Sequence, residues 1–470
     1  MPAAPGRDPI DLLIAGGVVA TMDERRRLIR DGAIAIKDGR ILAIGKAAEL
    51  EPRFAAAERI DSSGKLVLPG LIDGHNHPVH FLSKGMIDDM PFPARWQNRV
   101  WPYEAGLSAE ETEVAAIGTM IEMIRHGTTC FADPGTFRPE AVAAAAAQVG
   151  IRAVVSRLTW DVHDPSAPAE YNDTTESALA KGEDLIARVG GSAGGRVRAW
   201  FSLVRGAHVT DELCRRVKTR ADGLGVGIHA HLCTTPGEIA AARERWGVAP
   251  VERYRRLGVL GPNAYLVHMG WIEDGDVALL KDADASVVHC PSASMFGGFG
   301  CVAHGKFPEL VEAGVRVVLG TDAAAVSRFL DMVRVMYLTA CAHKDVKIDP
   351  TVIGAHKALE MATVDAARAL LWDGPDGIGV LAPGKRADAI VLDTDGIEWQ
   401  PNPLANPIGN LVYSSSGRAV RTVVIDGRVV LRDRRLTTMD QAAYLGRARA
   451  LSERLMTRIG ATLAPRWPVQ

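Results

Sequence analysis

The sequence predicts an α/β protein: a (β/α)8 TIM barrel with a small β-sandwich built from both chain ends. Three observations predict it. Across about 300 central residues, a length that suits such a barrel, apolar strand-like runs alternate with amphipathic helical ones. The two ends each carry a strand, Asp-Gly turn, strand pattern, the signature of hairpins whose turn residues need positive φ. No Gly-x-Gly-x-x-Gly turn follows an early strand, which weighs against the open dinucleotide-binding sheet that βα repeats also build.

Residues 1–66 form the first part of the sandwich: Leu12 to Val19, then Ala33 to Ile36 and Ile41 to Ile44 around Asp38-Gly39. Residues 67–375 form the barrel, with strand-like runs at Gly127–Asp133, Val197–Leu203, Ala264–His268 and Val315–Asp322 and helical runs between them. Residues 376–440 return to the sandwich through Ala389–Asp393 and the pair of strands around Asp426-Gly427. Residues 441–470 open with a helical period that puts Leu445, Ala448, Leu451 and Leu455 on one face, read as a packing helix.

Composition bounds the partners. The 470 residues carry 54 basic and 56 acidic side chains, a net charge of -2, with no long block of one sign, so neither a nucleic-acid nor an anionic-membrane partner is implied. A small-molecule substrate is expected instead. The first residues lack the apolar core of a secretory signal and no apolar run reaches membrane-span length, so a cytoplasmic location is expected. Six scattered cysteines without Cys-x-x-Cys spacing predict reduced thiols rather than a zinc ribbon or a disulfide framework.

Chemistry concentrates in histidines. His75 and His77 stand two apart on an extended segment, so their side chains share one side at a Cα separation of about 7 Å, as two imidazoles on one metal require. His229 and His231 repeat that spacing, while His268, His289 and Asp322 each close a further strand. In a parallel barrel the carboxyl ends of the strands form one rim, so side chains far apart in sequence converge there. A lone strand-end histidine is usually a hydrogen-bonded structural residue; histidines ending four strands, with an aspartate at a fifth, are hard to read that way.

At these residues the chain resembles the amidohydrolase superfamily, in its aminohydrolase and chlorohydrolase branch of nucleoside deaminases, guanine deaminases and triazine hydrolases, with phenylurea and thiocarbamate hydrolases among its relatives. The resemblance runs through Leu68 to Pro78, Asp88-Asp89 to Glu104, Gly127 to Asp133, Gly320-Thr321-Asp322 and Gly377 to Asp388. It implies His75, His77, His231 and Asp322 as ligands of one divalent metal ion, with His268 hydrogen-bonded to the activated water or to substrate and His289 facing substrate. No lysine stands where a bridge between two metals would need it, so a mononuclear site is expected. Zinc is the expected ion, although His and Asp ligands also suit iron, manganese and cobalt. Catalysis falls to Asp322, as proton shuttle, and His268. The proteins it resembles are usually dimers or tetramers, so a homo-oligomer is expected.

Two departures bear on the reaction. In related deaminases and triazine hydrolases a glutamate three residues after the third metal histidine protonates the ring nitrogen; here that residue is Thr234. Glu238 lies four further on, where the simpler reading is a carboxylate serving the helix N-terminus. The histidine that follows the fourth strand in nucleoside deaminases aligns ambiguously, with His208 and Arg205 as candidates. With no obvious acid, attack on a carbonyl is favoured over attack on an aromatic carbon bearing an amine, because the charge then develops on oxygen. The expected reaction is hydrolysis of a carbon-nitrogen bond in a small, neutral, largely apolar amide, urea or carbamate. The alternative is a deaminase or chlorohydrolase of an N-heterocycle: a purine, a pyrimidine or an s-triazine. Substrate-contact candidates are His289, His229, Thr234, Glu238, His208, Trp160 and Phe137. Phe81, Phe92, Trp96, Trp271, Phe296 and Phe299 are further candidates for an apolar wall.

Overall fold

The computed structural model describes residues 6–91, 94–461 and 467–468; Phe92 lies outside the described residues. Eight parallel strands form the barrel: β1 (Leu71–Asp73), β2 (Thr128–Ala132), β3 (Arg152–Ser156), β4 (Val197–Arg205), β5 (Ile228–Leu232), β6 (Ala264–His268), β7 (Ser286–His289) and β8 (Arg316–Leu319). Each pairs with its sequence neighbour. Every residue of β2, β3, β5, β6 and β7 is buried, as expected of strands covered on both faces.

The seam between β8 and β1 closes by single bonds rather than a ladder. The Gly74 N–H donates to the Leu319 carbonyl at 2.8 Å, the Asp322 N–H donates to the His75 carbonyl at 2.8 Å, and Asn76–His77 pairs in parallel with Asp322–Ala323. Gly320 permits this approach: a Cβ there would sit 2.9 Å from both the nitrogen and the Cβ of His75.

The chain ends build the second domain. Its strands run in the order 435–436, 428–432, 420–425, 389–392, 66–69, 8–20, 28–37 and 40–46, with 54–61 also paired to 8–20. Hydrogen bonds thus join nine strands from both chain ends into the extra domain that the sequence predicts. Strand alternation divides its side chains between two apolar clusters, Leu12, Ile14, Ile34, Ile36 and Val391 in one and Leu13, Ala15, Ala33, Ala35 and Phe54 in the other. Both predicted turns have positive φ at both residues, Asp38 and Gly39 at 52° and 74°, Asp426 and Gly427 at 54° and 75°. The chain enters the barrel along Leu66–Pro69 and leaves it toward Ala389–Leu392, and these two segments are antiparallel neighbours, Pro69 opposite Ala389 and Leu66 opposite Leu392.

The C-terminal helix, Gln441–Arg458, buries Tyr444, Ala448, Leu451 and Leu455, and its Tyr444 hydroxyl donates to the Val114 carbonyl at 2.8 Å. It packs on the outside of the barrel against the helix Ala109–Arg125. No helix among the described residues is long and apolar enough to cross a membrane.

Candidate metal centre

The carboxyl ends of β1, β5, β6 and the segment after β8 bring five side chains to one point of the barrel mouth. His77 Nε2 lies 3.2 Å from His231 Nε2, and Asp322 Oδ1 lies 3.6 Å from His77 Nε2 and 3.7 Å from His75 Nε2. Donor atoms of His75, His77 and His231, and those of His75, His268 and Asp322, form two overlapping groups in which all atoms lie within 4.8 Å of one another. His268 and Asp322 both hold positive φ, 75° and 70°, an uncommon conformation for residues with a side chain and one that collects at functional sites.

Second partners orient the rings. The His231 Nδ1–H donates to the Val204 carbonyl at 2.7 Å, which leaves Nε2 with its lone pair toward the centre. His75 Nδ1 meets His229 Nε2 at 2.9 Å; with the proton on His75 Nδ1, its Nε2 is an acceptor, and that buried atom has no partner among the described residues. Burial, reinforced by mutual repulsion, holds His75, His77 and His231 well below the usual imidazole range, and burial pushes His268 and His229 down to about 3. All five are therefore neutral, the form that ligates metal. An orphaned imidazole nitrogen, two imidazole nitrogens facing each other and a nearby carboxylate are a donor set that fits one divalent cation.

A cavity of about 480 Å³ opens beside this cluster, with His77, His231, His268 and Asp322 at its floor and Ile87, Trp96, Val100, Phe299 and Val326 on its apolar wall. Thr234, His208 and Glu238 also line it. Glu238 is the third residue of the helix Pro236–Trp246, yet its carboxylate turns back and accepts the N–H groups of Cys233 at 3.0 Å and Thr234 at 2.8 Å. Burial raises its pKa. At the offset where related enzymes carry glutamate stands Thr234; the fold brings the Glu238 carboxylate to the same cavity from the next element. His208 stacks on Trp160 at 3.6 Å, and its buried Nδ1 has no partner among the described residues. Arg205, the last residue of β4, also lines the cavity, with its guanidinium 4.3 Å above the Trp96 ring.

Four expected contacts do not line the cavity. His229 is turned behind His75 by the bond just described. His289 bonds His343 Nε2 at 3.0 Å and packs on Phe307, in the layer between the barrel and the helix Met332–Lys347. Trp160 packs between Trp101 and Tyr171 and backs His208, and Phe137 packs edge-on against Tyr171. Of the apolar-wall candidates, Trp96 and Phe299 line the cavity; Phe81, Trp271 and Phe296 do not.

Of the histidines that line the cavity, His80 escaped the sequence reading. His80 is the third residue of the 3-10 helix Pro78–Ser83, bonds Glu104 Oε1 at 2.9 Å and faces Ser83 Oγ at 3.0 Å, while Glu104 Oε2 accepts the Tyr171 hydroxyl. The spacing His77-Pro78-Val79-His80 was the available signal, since one tight turn returns the second imidazole to the side of the first.

The amidohydrolase family pattern matches residues 66–430, and an imidazolonepropionase-like bacterial composite domain matches residues 32–57. The chain is 32% identical over 451 residues to 5'-deoxyadenosine deaminase of Methanosarcina mazei, covering 96% of this chain and 99% of that one. It is 35% identical to 5-methylthioadenosine/S-adenosylhomocysteine deaminase of Syntrophobacter fumaroxidans, covering 95% and 99%. Among solved structures, an adenosine deaminase from Xanthomonas campestris with bound zinc superposes with a TM-score of 0.89 at 30% identity, covering 96% of this chain and 100% of that one.

Proposed function

Because the chain belongs to the amidohydrolase family, we propose that it uses water to remove an exocyclic amino group from a small N-heterocycle of the adenosine type. The observation that carries this reading is the likeness, over nearly the whole chain, to deaminases of 5'-deoxyadenosine and 5-methylthioadenosine/S-adenosylhomocysteine. It displaces the expected amide, urea or carbamate substrate, a preference that rested on Thr234 standing where an acid belongs. Glu238 supplies that acid from the cavity wall.

His75, His77, His231 and Asp322 would hold one divalent cation, which is zinc in the similar adenosine deaminase. When bound, such an ion lowers the pKa of water toward neutrality and so supplies the nucleophile. Glu238, whose pKa burial raises, would give a proton to the ring nitrogen as the water oxygen bonds the amine-bearing carbon. Asp322 takes a proton from the water and passes it to the departing nitrogen, and His268 hydrogen-bonds the incoming oxygen. The carbon-nitrogen bond breaks, the remaining hydroxyl proton returns to Glu238, and the products are ammonia and the oxo-heterocycle. Trp96 and Phe299 offer flat apolar faces to the ring, and His208 and Thr234 offer polar contacts at its edge.

The test is a substrate panel on purified protein: 5'-deoxyadenosine, 5'-methylthioadenosine, adenosine, guanine and a chlorotriazine against a phenylurea and a thiocarbamate. Ammonia release from the adenosine-type members is expected. Turnover confined to the phenylurea or thiocarbamate would refute the proposal.

A further inference from the structure

The ligand-bearing segments that meet at the barrel seam come from opposite ends of the barrel sequence, and strand pairing joins them over only two residues each, Asn76–His77 with Asp322–Ala323. A buried side-chain bridge does the rest. Asp73 Oδ1 accepts the Thr321 N–H at 2.9 Å and the His75 N–H at 3.3 Å, and Asp73 Oδ2 accepts the Thr321 hydroxyl. The same hydroxyl oxygen accepts Asn76 Nδ2–H at 2.9 Å. Behind it, the Ser327 hydroxyl donates to the Thr321 carbonyl and pairs with Ser292 Oγ at 2.8 Å. Asp73, Asn76 and Thr321 are all fully buried.

The positions of these three side chains make the bridge more than packing. Asp73 lies two residues before His75, Asn76 lies between His75 and His77, and Thr321 immediately precedes Asp322. A shift of Thr321 relative to Asp73 would carry Asp322 away from both histidines, and three donors on one carboxylate resist that shift in every direction along the seam.

We propose that the Asp73–Thr321 bridge is a positioning device: it sets the distance between the His75/His77 segment and Asp322, and so the affinity of the centre for a divalent cation, without touching ion or substrate. The inference rests on the proposed ligand set. Thr321→Val keeps the shape of the side chain but leaves Asp73 Oδ2 and Asn76 Nδ2 without their partner; Thr321→Ser restores the hydroxyl.

The experiment strips wild type, T321V and T321S of metal, titrates each with zinc against a chromophoric chelator, and records melting with and without zinc. T321V is expected to bind zinc about 10- to 100-fold more weakly, as loss of a partner behind a metal ligand does elsewhere. Its zinc-induced rise in Tm shrinks, and T321S returns near wild type. Asp73→Asn, which keeps the acceptor for both backbone N–H groups and alters only the bond to the hydroxyl, serves if T321V does not fold, and is expected to weaken zinc in the same sense. Wild-type zinc affinity in T321V or in D73N, or T321S as weak as T321V, overturns the proposal. A wild-type chain that takes up no zinc sinks the metal centre and the bridge together, whereas tight wild-type binding that the variants leave unchanged sinks the bridge alone.

Discussion

Glu238 stands where a carboxylate ordinarily steadies a helix N-terminus, but its oxygens are spent on the two N–H groups of Cys233 and Thr234 that border the cavity. Glu238→Gln keeps the size and loses the proton; kcat is expected to fall by about 10²- to 10⁴-fold, measured as ammonia release, with zinc content unchanged. Burial raises the Glu238 pKa, so its acid form persists upward in pH and its loss should set the alkaline limb of the kcat/KM profile, a limb missing from whatever activity E238Q retains. Asp133, at the end of β2 and away from the centre, tests burial by itself. Its Oδ1 accepts the Gly135 N–H at 3.0 Å, its Oδ2 has no partner among the described residues, and desolvation pushes its pKa from 3.8 up to about 8. The folded chain therefore holds a proton that the unfolded chain has released. The stabilisation is fully present below 3.8 and is lost as pH rises through about 8. Asp133→Asn should flatten that decline, seen as denaturation midpoints that separate less between mildly acidic and mildly alkaline buffer; parallel slopes in the two proteins would refute it. Strand-end position and spacing of two made the histidines and Asp322 legible as a group at the rim, whereas the choice of His231 over His229 and of His268 over His289 came from the family resemblance. His80 was not legible, because it reaches the cavity through a turn whose hydrogen bonds depend on the folded neighbours; Glu238 was a candidate contact whose simpler reading was a carboxylate serving the helix N-terminus.

At the scale of elements, the turns and strands were the most legible features. Asp38-Gly39 and Asp426-Gly427 require positive φ and obtain it, and β6 spans Ala264–His268 as its apolar run predicts. The pairing order of the nine strands was harder to read, since strand alternation tells which side chains share a face but not which strands are neighbours. Closure of the barrel depends on an element with almost no length. Between Leu319 and Asp322 the chain passes so near His75 that Gly320 has no room for a methyl group. Gly320→Ala should force β8 and β1 apart at the rim, where the ligands are, while the strands below keep their pairing. The expected outcome is a folded chain, with a far-ultraviolet circular dichroism spectrum near that of wild type, that loses most of its bound metal by elemental analysis. Full metal occupancy in G320A would show that the seam yields without disturbing the centre.

At the scale of the molecule, barrel and sheet are joined by charge as well as by chain. Arg152, at the start of β3, pairs with Asp388 at 2.7 and 2.8 Å and with Asp426 at 3.1 Å, and Arg152 and Asp388 are buried while Asp426 is partly covered. Arg196, just before β4, and Arg386 also approach Asp426, at 3.3 and 3.1 Å. Arg152→Met removes one partner and leaves the Asp388 charge enclosed; destabilisation of about 3–5 kcal/mol is expected from denaturant titration. An unchanged midpoint would mean that water reaches Asp388 once the arginine is gone. The family pattern, which begins at residue 66 and ends at residue 430, takes in the whole of this junction but only the last strand of the N-terminal half of the sheet. The side-by-side crossing of Leu66–Pro69 and Ala389–Leu392 gives the architecture a modular character. A barrel whose two tethers emerge as adjacent threads enters and leaves its host at one doorway, where the Gly70 N–H also donates to the Asp388 carbonyl at 3.1 Å, so backbone and charge fasten the two parts at the same place.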